Sequence, residues 1–140
     1  MNRREWLVGA GAVVAASVAK AAPKMAEPHA HGPNGALLDV AADCVKKAQA
    51  CLTHCLGMLS TGDTSMAACA ATARDTIASS QALVELAAAS SKHLKSMART
   101  CAEICRDCEA ECRKHQDKMP ICRDCAEACA AMIKEADKVA

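Results

Sequence analysis

The sequence predicts an all-α protein, an antiparallel up-down four-helix bundle with a cysteine-lined core. Three observations carry that expectation. Eleven cysteines occur in 140 residues, and seven of them, Cys101, Cys105, Cys108, Cys112, Cys122, Cys125 and Cys129, step by three or four positions, the repeat of one face of an α-helix. From Leu37 onward turn-forming residues are sparse, and they divide the chain into four segments of roughly 20–26 residues, a length that suits short antiparallel connections. Residues 22–140 contain no Phe, Tyr or Trp, so the interior lacks the bulk that brings protein cores to a density of about 0.74. The thiols therefore line a space that they do not fill.

Residues 1–21 read as an export signal. Arg3 and Arg4 precede an apolar run of 13 residues, Leu7 to Ala19, and Ala19-Lys20-Ala21 is a small-x-small cleavage site. The run is too short to span a bilayer core of about 30 Å, so no stable membrane insertion is expected. Paired arginines mark the export route that carries folded proteins. Folding in a reducing cytoplasm would protect the thiols before the chain reaches an oxidising periplasm. Residues 22–36, with Pro23, Pro28, Gly32, Pro33 and Gly35, read as a flexible linker, in which His29 and His31 are weak candidates for metal binding.

The bundle is expected over residues 37–140. The first helix runs from about Leu37 to Ser60 and is ended by Thr61-Gly62-Asp63. Asp63 or Thr64 caps the second, which continues to about Ala89, and Ser90-Ser91 caps the third, which runs to about Lys114. Pro120 starts the fourth, where a first helical turn tolerates proline, and that helix reaches about Val139. Inward positions are Cys44, Ala48, Cys51, Cys55 and Met58 on the first helix. On the second they are Cys69, Ala73, Thr76, Ser80, Leu83 and Ala87. The remaining seven cysteines line the third and fourth.

Neighbouring thiols in one stripe have Cβ atoms about 5–6 Å apart, against about 3.8 Å for a disulfide, so they cannot pair without breaking the helix. Eleven is also an odd number. A lone buried cysteine is an ordinary small core residue, but the whole set exceeds what packing requires. Metal ligation remains. Cys105-x2-Cys108 and Cys122-x2-Cys125 imitate zinc knuckles, yet Cys101, Cys112 and Cys129 continue the same stripes. Iron–sulfur clusters want shaped loops rather than continuous helices. Copper(I) fits best, because it is soft, prefers thiolate and thioether, and accepts two or three sulfurs. Two buried thiolates per ion leave a negative charge that is costly in an apolar core, whereas one bridging thiolate per ion is neutral. Loading nearer about eleven ions than about five is the expectation from that neutrality.

Antiparallel threading gathers Cys55, Cys69, Cys112 and Cys122 at one end with Met58, Met66, His115 and Met119, which are candidate ligands at the mouth of a thiol-lined tube. Leu37, Leu38, Leu83, Val84, Leu86, Leu94 and Ile133 gather at the other end as a plug. Net charge is +1 for the whole chain and −1 once Arg3, Arg4, Lys20 and Glu5 leave with the leader. With no basic patch or stacking aromatics, nucleic acid is not an expected partner.

The twin-arginine leader, the helical chain poor in aromatics, and the runs CxxxCxxCxxxC from Cys101 to Cys112 and CxxCxxxC from Cys122 to Cys129 resemble the exported bacterial copper storage proteins. The resemblance covers about residues 37–140. It implies a bundle holding many copper(I) ions inside, with histidine and methionine at an open end, and assembly as tetramers. It also implies supply of copper to a chaperone or an exported copper enzyme. The second helix departs from the family pattern, turning to Ala, Thr, Ser and Leu after Cys69, which implies a lower capacity. No Ser/His/Asp set, phosphate-cradling loop or paired carboxylates point to catalysis. The competing readings are a zinc-dependent bundle and a thiol redox or disulfide protein; the redox role needs exposed, low-pKa cysteines, and bridges between helices would leave at least one thiol over.

Overall fold

A computed structural model describes residues 32–140. The export signal and most of the linker, with His29 and His31, lie outside the described residues. Four helices follow in order, α1 Gly35–Ser60, α2 Ala67–Ala88, α3 Leu94–Arg113 and α4 Pro120–Val139, with a 3-10 turn at Thr64–Met66. They pack in a closed cycle in which α1 touches α2 and α4, and α3 touches α2 and α4, while the diagonal pairs make no backbone contact. Among the described residues no helix is long and apolar enough to cross a membrane.

The helix ends explain the boundaries. After α1, Gly62 adopts φ 88, and the N–H groups of Gly62 and Asp63 return to the carbonyls of Leu59 and Met58, the glycine-dependent closure that ends many helices. Asp63 then accepts a hydrogen bond from the Ser65 N–H at 3.0 Å and starts the 3-10 turn. The α2–α3 connection differs from expectation. Ser90 does not cap α3. It closes α2 in the left-handed region at φ 47, with Ser90 N–H bonded to Ala87 O and Ser91 N–H to Leu86 O. The Ser91 hydroxyl accepts from the His93 N–H, and α3 begins at Leu94. Pro120 occupies the first turn of α4 behind an extended Met119, as its fixed φ favours. Helix α1 begins at Gly35 rather than Leu37. Asn34 makes no cap there, and its amide instead donates to Ala87 O at 3.0 Å, tying the start of α1 to the end of α2.

The core is built from small side chains. Ala41, Ala48, Ala73, Ala98, Ala126 and Ala136 are buried where helices meet, and all eleven cysteines are 0% exposed. Leu37, Leu83, Leu94 and Met132 are buried at one end of the bundle, with Leu38, Val84, Leu86 and Ile133 packed against them. Burial of each such side chain is worth roughly 1.5–3 kcal/mol, so this apolar end anchors the fold. Outside, Arg106 on α3 grips both oxygens of Asp137 on α4 at 2.9 and 2.8 Å. Exposed pairs of this kind add at most about 1 kcal/mol.

Candidate metal site

Helices α1, α3 and α4 turn their cysteine stripes to the bundle axis, because an apolar face must be covered and the three- and four-residue steps keep the thiols on that face. Cys44, Cys51 and Cys55 come from α1, Cys69 from α2, Cys101, Cys105, Cys108 and Cys112 from α3, and Cys122, Cys125 and Cys129 from α4. All are free thiols. The sulfurs of Cys69 and Cys112 lie 3.5 Å apart, those of Cys51 and Cys69 3.7 Å, and those of Cys51 and Cys112 3.8 Å. Cys51 and Cys112 belong to diagonal helices, so their sulfurs meet on the axis itself.

Four groups of three sulfurs lie within 4.8 Å of one another: Cys51–Cys69–Cys122, Cys51–Cys112–Cys125, Cys108–Cys125–Cys129 and Cys44–Cys105–Cys129. Two sulfurs bonded to one soft ion at about 2.3 Å are at most about 4.6 Å apart, so small rotamer shifts bring each group into ligating range. Successive groups share Cys51, Cys125 and Cys129 and form one continuous ladder of nine cysteines. Cys55 adjoins it, 4.0 Å from Cys51. Cys101 stands 3.7 Å from the Ser80 hydroxyl. Thiols one turn apart on a single helix also meet, Cys51 with Cys55, and Cys125 with Cys129 in one group.

Close sulfurs divide their protons unequally. Hydrogen bonds from Cys105 and then Cys129 lower Cys44 to about 4, and donation from Cys105 lowers Cys101 to about 7. Cys51 and Cys108 are also pushed down, each chiefly by the Cys112 thiol. Their donors move the other way: Cys112 is raised first by Cys108, and Cys129 and Cys105 by their hydrogen bonds to Cys105 and Cys101 respectively. Cys125 rises through Cys108. Burial, then the charge on Cys51, raises Cys55, and the same causes lift Cys122 to about 12. At Cys69 a hydrogen bond from Cys112 favours the thiolate, but the Cys51 hydrogen bond, burial and the Cys51 charge outweigh it, giving about 11.

A pH dependence of the metal-free fold follows. Cys69 and Cys122 are raised above the ordinary thiol value of 9.0. Their contribution to stability is complete below pH 9 and is lost as the pH rises through about 11 and 12. The lowered thiols cannot offset this, since their contribution is already complete above the unfolded value. The denaturant midpoint of reduced apo-protein is expected to fall between pH 9 and pH 12; a flat circular-dichroism profile across that window would count against the assignment.

Of the four candidates at the mouth, Met66 is fully buried in the core, while Met58, Met119 and His115 are half-buried. Met58 lies in the last turn of α1, Met66 in the 3-10 turn, and His115 and Met119 in the α3–α4 turn, all at the end opposite the apolar plug. His54, which sequence reasoning passes over, stands with them: its Nε2 lies 3.4 Å from the Met119 sulfur. One turn of α1 before Met58, it was legible from helical spacing alone.

A model of the copper storage protein family matches residues 30–140, a segment that contains every cysteine. The chain belongs to the copper storage protein family. Among solved structures it is similar to the Cu(I)-bound copper storage protein BsCsp3, with a TM-score of 0.71 and 26% sequence identity over 76% of this chain and 97% of that one. No curated protein matches the sequence. Membership of the copper storage protein family agrees with the four-helix architecture and with thiols gathered on one axis.

Proposed function

We propose that this chain stores copper(I) on its eleven cysteines, with the ladder of shared sulfurs as the binding core. The observation that carries this reading is that Cys51, Cys125 and Cys129 each belong to two groups. Separate four-sulfur zinc sites would not need to share ligands, and a redox protein would need exposed thiols, whereas all eleven are 0% exposed. Each ion displaces a thiol proton and leaves a copper–sulfur bond. A sulfur bridging two ions lets the count approach one ion per thiolate, which keeps the buried core neutral.

Met58, Met66, His115 and Met119, joined by His54, form the port through which ions pass. Soft thioether and imidazole groups suit copper(I) there, since they exchange more readily than buried thiolates. The role is storage rather than catalysis, and the stored metal goes to a copper chaperone or an exported copper enzyme. The leader implies folding before twin-arginine export and residence in the periplasm, and assembly as a tetramer follows the family resemblance.

One experiment tests both location and role. Protein recovered from the periplasmic fraction is expected to begin at Ala22. Titrated anaerobically with copper(I) against a competing chelator, it should bind about eleven ions on the one-per-thiolate argument. Near-ultraviolet thiolate-to-copper absorption follows the uptake without aromatic background, because Trp6 leaves with the leader. Saturation near about five ions refutes bridging, and uptake of only one or two refutes storage.

A further inference from the structure

Helix α2 interrupts the thiol lining. Beyond Cys69 its buried face carries Ala73, Thr76 and Ser80 before reaching the apolar plug at Leu83. Thr76 and Ser80 are 0% exposed, and with Ser79 they are the buried polar side chains of the described core. Hydroxyls inside helices ordinarily donate back to a carbonyl three or four residues earlier. Thr53, Thr72, Ser79, Ser96 and Thr100 do so here, at 2.9 to 3.2 Å. Neither Thr76 nor Ser80 follows them. Ser80 Oγ faces Cys101 Sγ at 3.7 Å, and Thr76 Oγ1 is buried without any hydrogen-bond partner among the described residues.

A buried donor left unpaired costs stability that a Val of the same shape would not. The pattern makes sense if the hydroxyls find acceptors once metal arrives. We propose that Thr76 and Ser80 are positioning residues for copper, donating O–H···S hydrogen bonds to neighbouring cysteine sulfurs when those sulfurs become copper thiolates. This rests on the storage reading. An ion held by two or three unshared thiolates carries net negative charge into a dry core, and hydrogen bonds to sulfur spread that charge. At full loading, bridging neutralises the core and the hydroxyls matter less. Their effect therefore falls on the first ions bound, at the level where the Ser80 hydroxyl faces Cys101.

The test compares wild type with Thr76→Val, Ser80→Ala and the double variant, using copper(I) alone against a competing chelator under anaerobic conditions. The double variant is expected to bind its first ions about tenfold more weakly, the usual size of a loss of groups that support metal ligands. Its capacity at saturation stays unchanged. Thr76→Ser restores wild-type behaviour, and the denaturant midpoint of apo Thr76→Val is equal to or above that of wild type. Early affinity unchanged in the double variant overturns the proposal. So does a uniform loss at every loading together with a weakened apo fold, which marks a purely structural role. Wild-type protein that fails to load overturns the storage reading and this one with it, whereas full wild-type loading with identical variant curves overturns this one alone.

Discussion

Cys125→Ala is expected to remove more copper capacity than the single thiol it deletes. Cys125 completes two of the four sulfur groups, Cys51–Cys112–Cys125 and Cys108–Cys125–Cys129, and it is the link between them. Without it the ladder divides into Cys51–Cys69–Cys122 at one end and Cys44–Cys105–Cys129 at the other. Capacity should fall by about two ions, one for each group left incomplete, and uptake should become two-phased. Cys101→Ala is the control. Cys101 belongs to none of the four groups, and its loss should cost at most about one ion. Both substitutions leave a cavity of similar size in the apo-protein and should lower its stability alike, by about 1 kcal/mol. Copper per chain after gel filtration decides the matter, and equal losses from the two variants would show that ions bind thiols independently.

Copper loading should also raise the thermal midpoint steeply while leaving the metal-free protein helical. The helices are closed by backbone hydrogen bonds at Gly62 and Ser90, started by Pro120, and packed on an apolar end that needs no metal. Reduced apo-protein should therefore keep its helical circular dichroism in the presence of chelator, unlike a zinc-dependent bundle that collapses. Each ion held at a thousandfold over its dissociation constant adds about 4 kcal/mol to the folded state. Three such ions rival the whole ordinary stability of a domain, about 5–15 kcal/mol. Unfolded thiols also bind copper, so only the excess affinity of the ladder counts. Even so, a shift above about 20 °C is expected at several degrees per kcal/mol. A loaded protein melting within a few degrees of the apo form would mean that the folded arrangement gives no advantage over free thiols.

The four helices are legible in the sequence because thiol spacing, punctuation and the Pro120 start agree, and the plug is legible because its leucines fall together once the chain is threaded up and down. Ser90 misleads. Serine is a common helix cap, yet here Ser90 ends the preceding helix in the left-handed position that glycine usually fills, while the Ser91 hydroxyl accepts from the His93 N–H ahead of α3. Which thiols come together across helices is not legible, because the rotation of each helix about its axis depends on packing between neighbours and leaves no trace in any one stripe. His54 stands one helical turn before Met58, so its end of the bundle is legible from spacing, whereas its meeting with Met119 is a tertiary contact. Thr76 and Ser80 are visible in the sequence only as a departure from cysteine.

The apolar plug has a consequence for emptying as well as for folding. A vessel with one opening keeps a history: what arrives first lies deepest and what arrives last stands nearest the exit. With Leu37, Leu83, Leu94 and Met132 packed into one end, and Asn34 tied across it to Ala87, the proposed port at the other end would serve for both entry and exit. Cys44 and its neighbours would then hold a long-term reserve, and Cys55, Cys69 and Cys122 the working stock that turns over first.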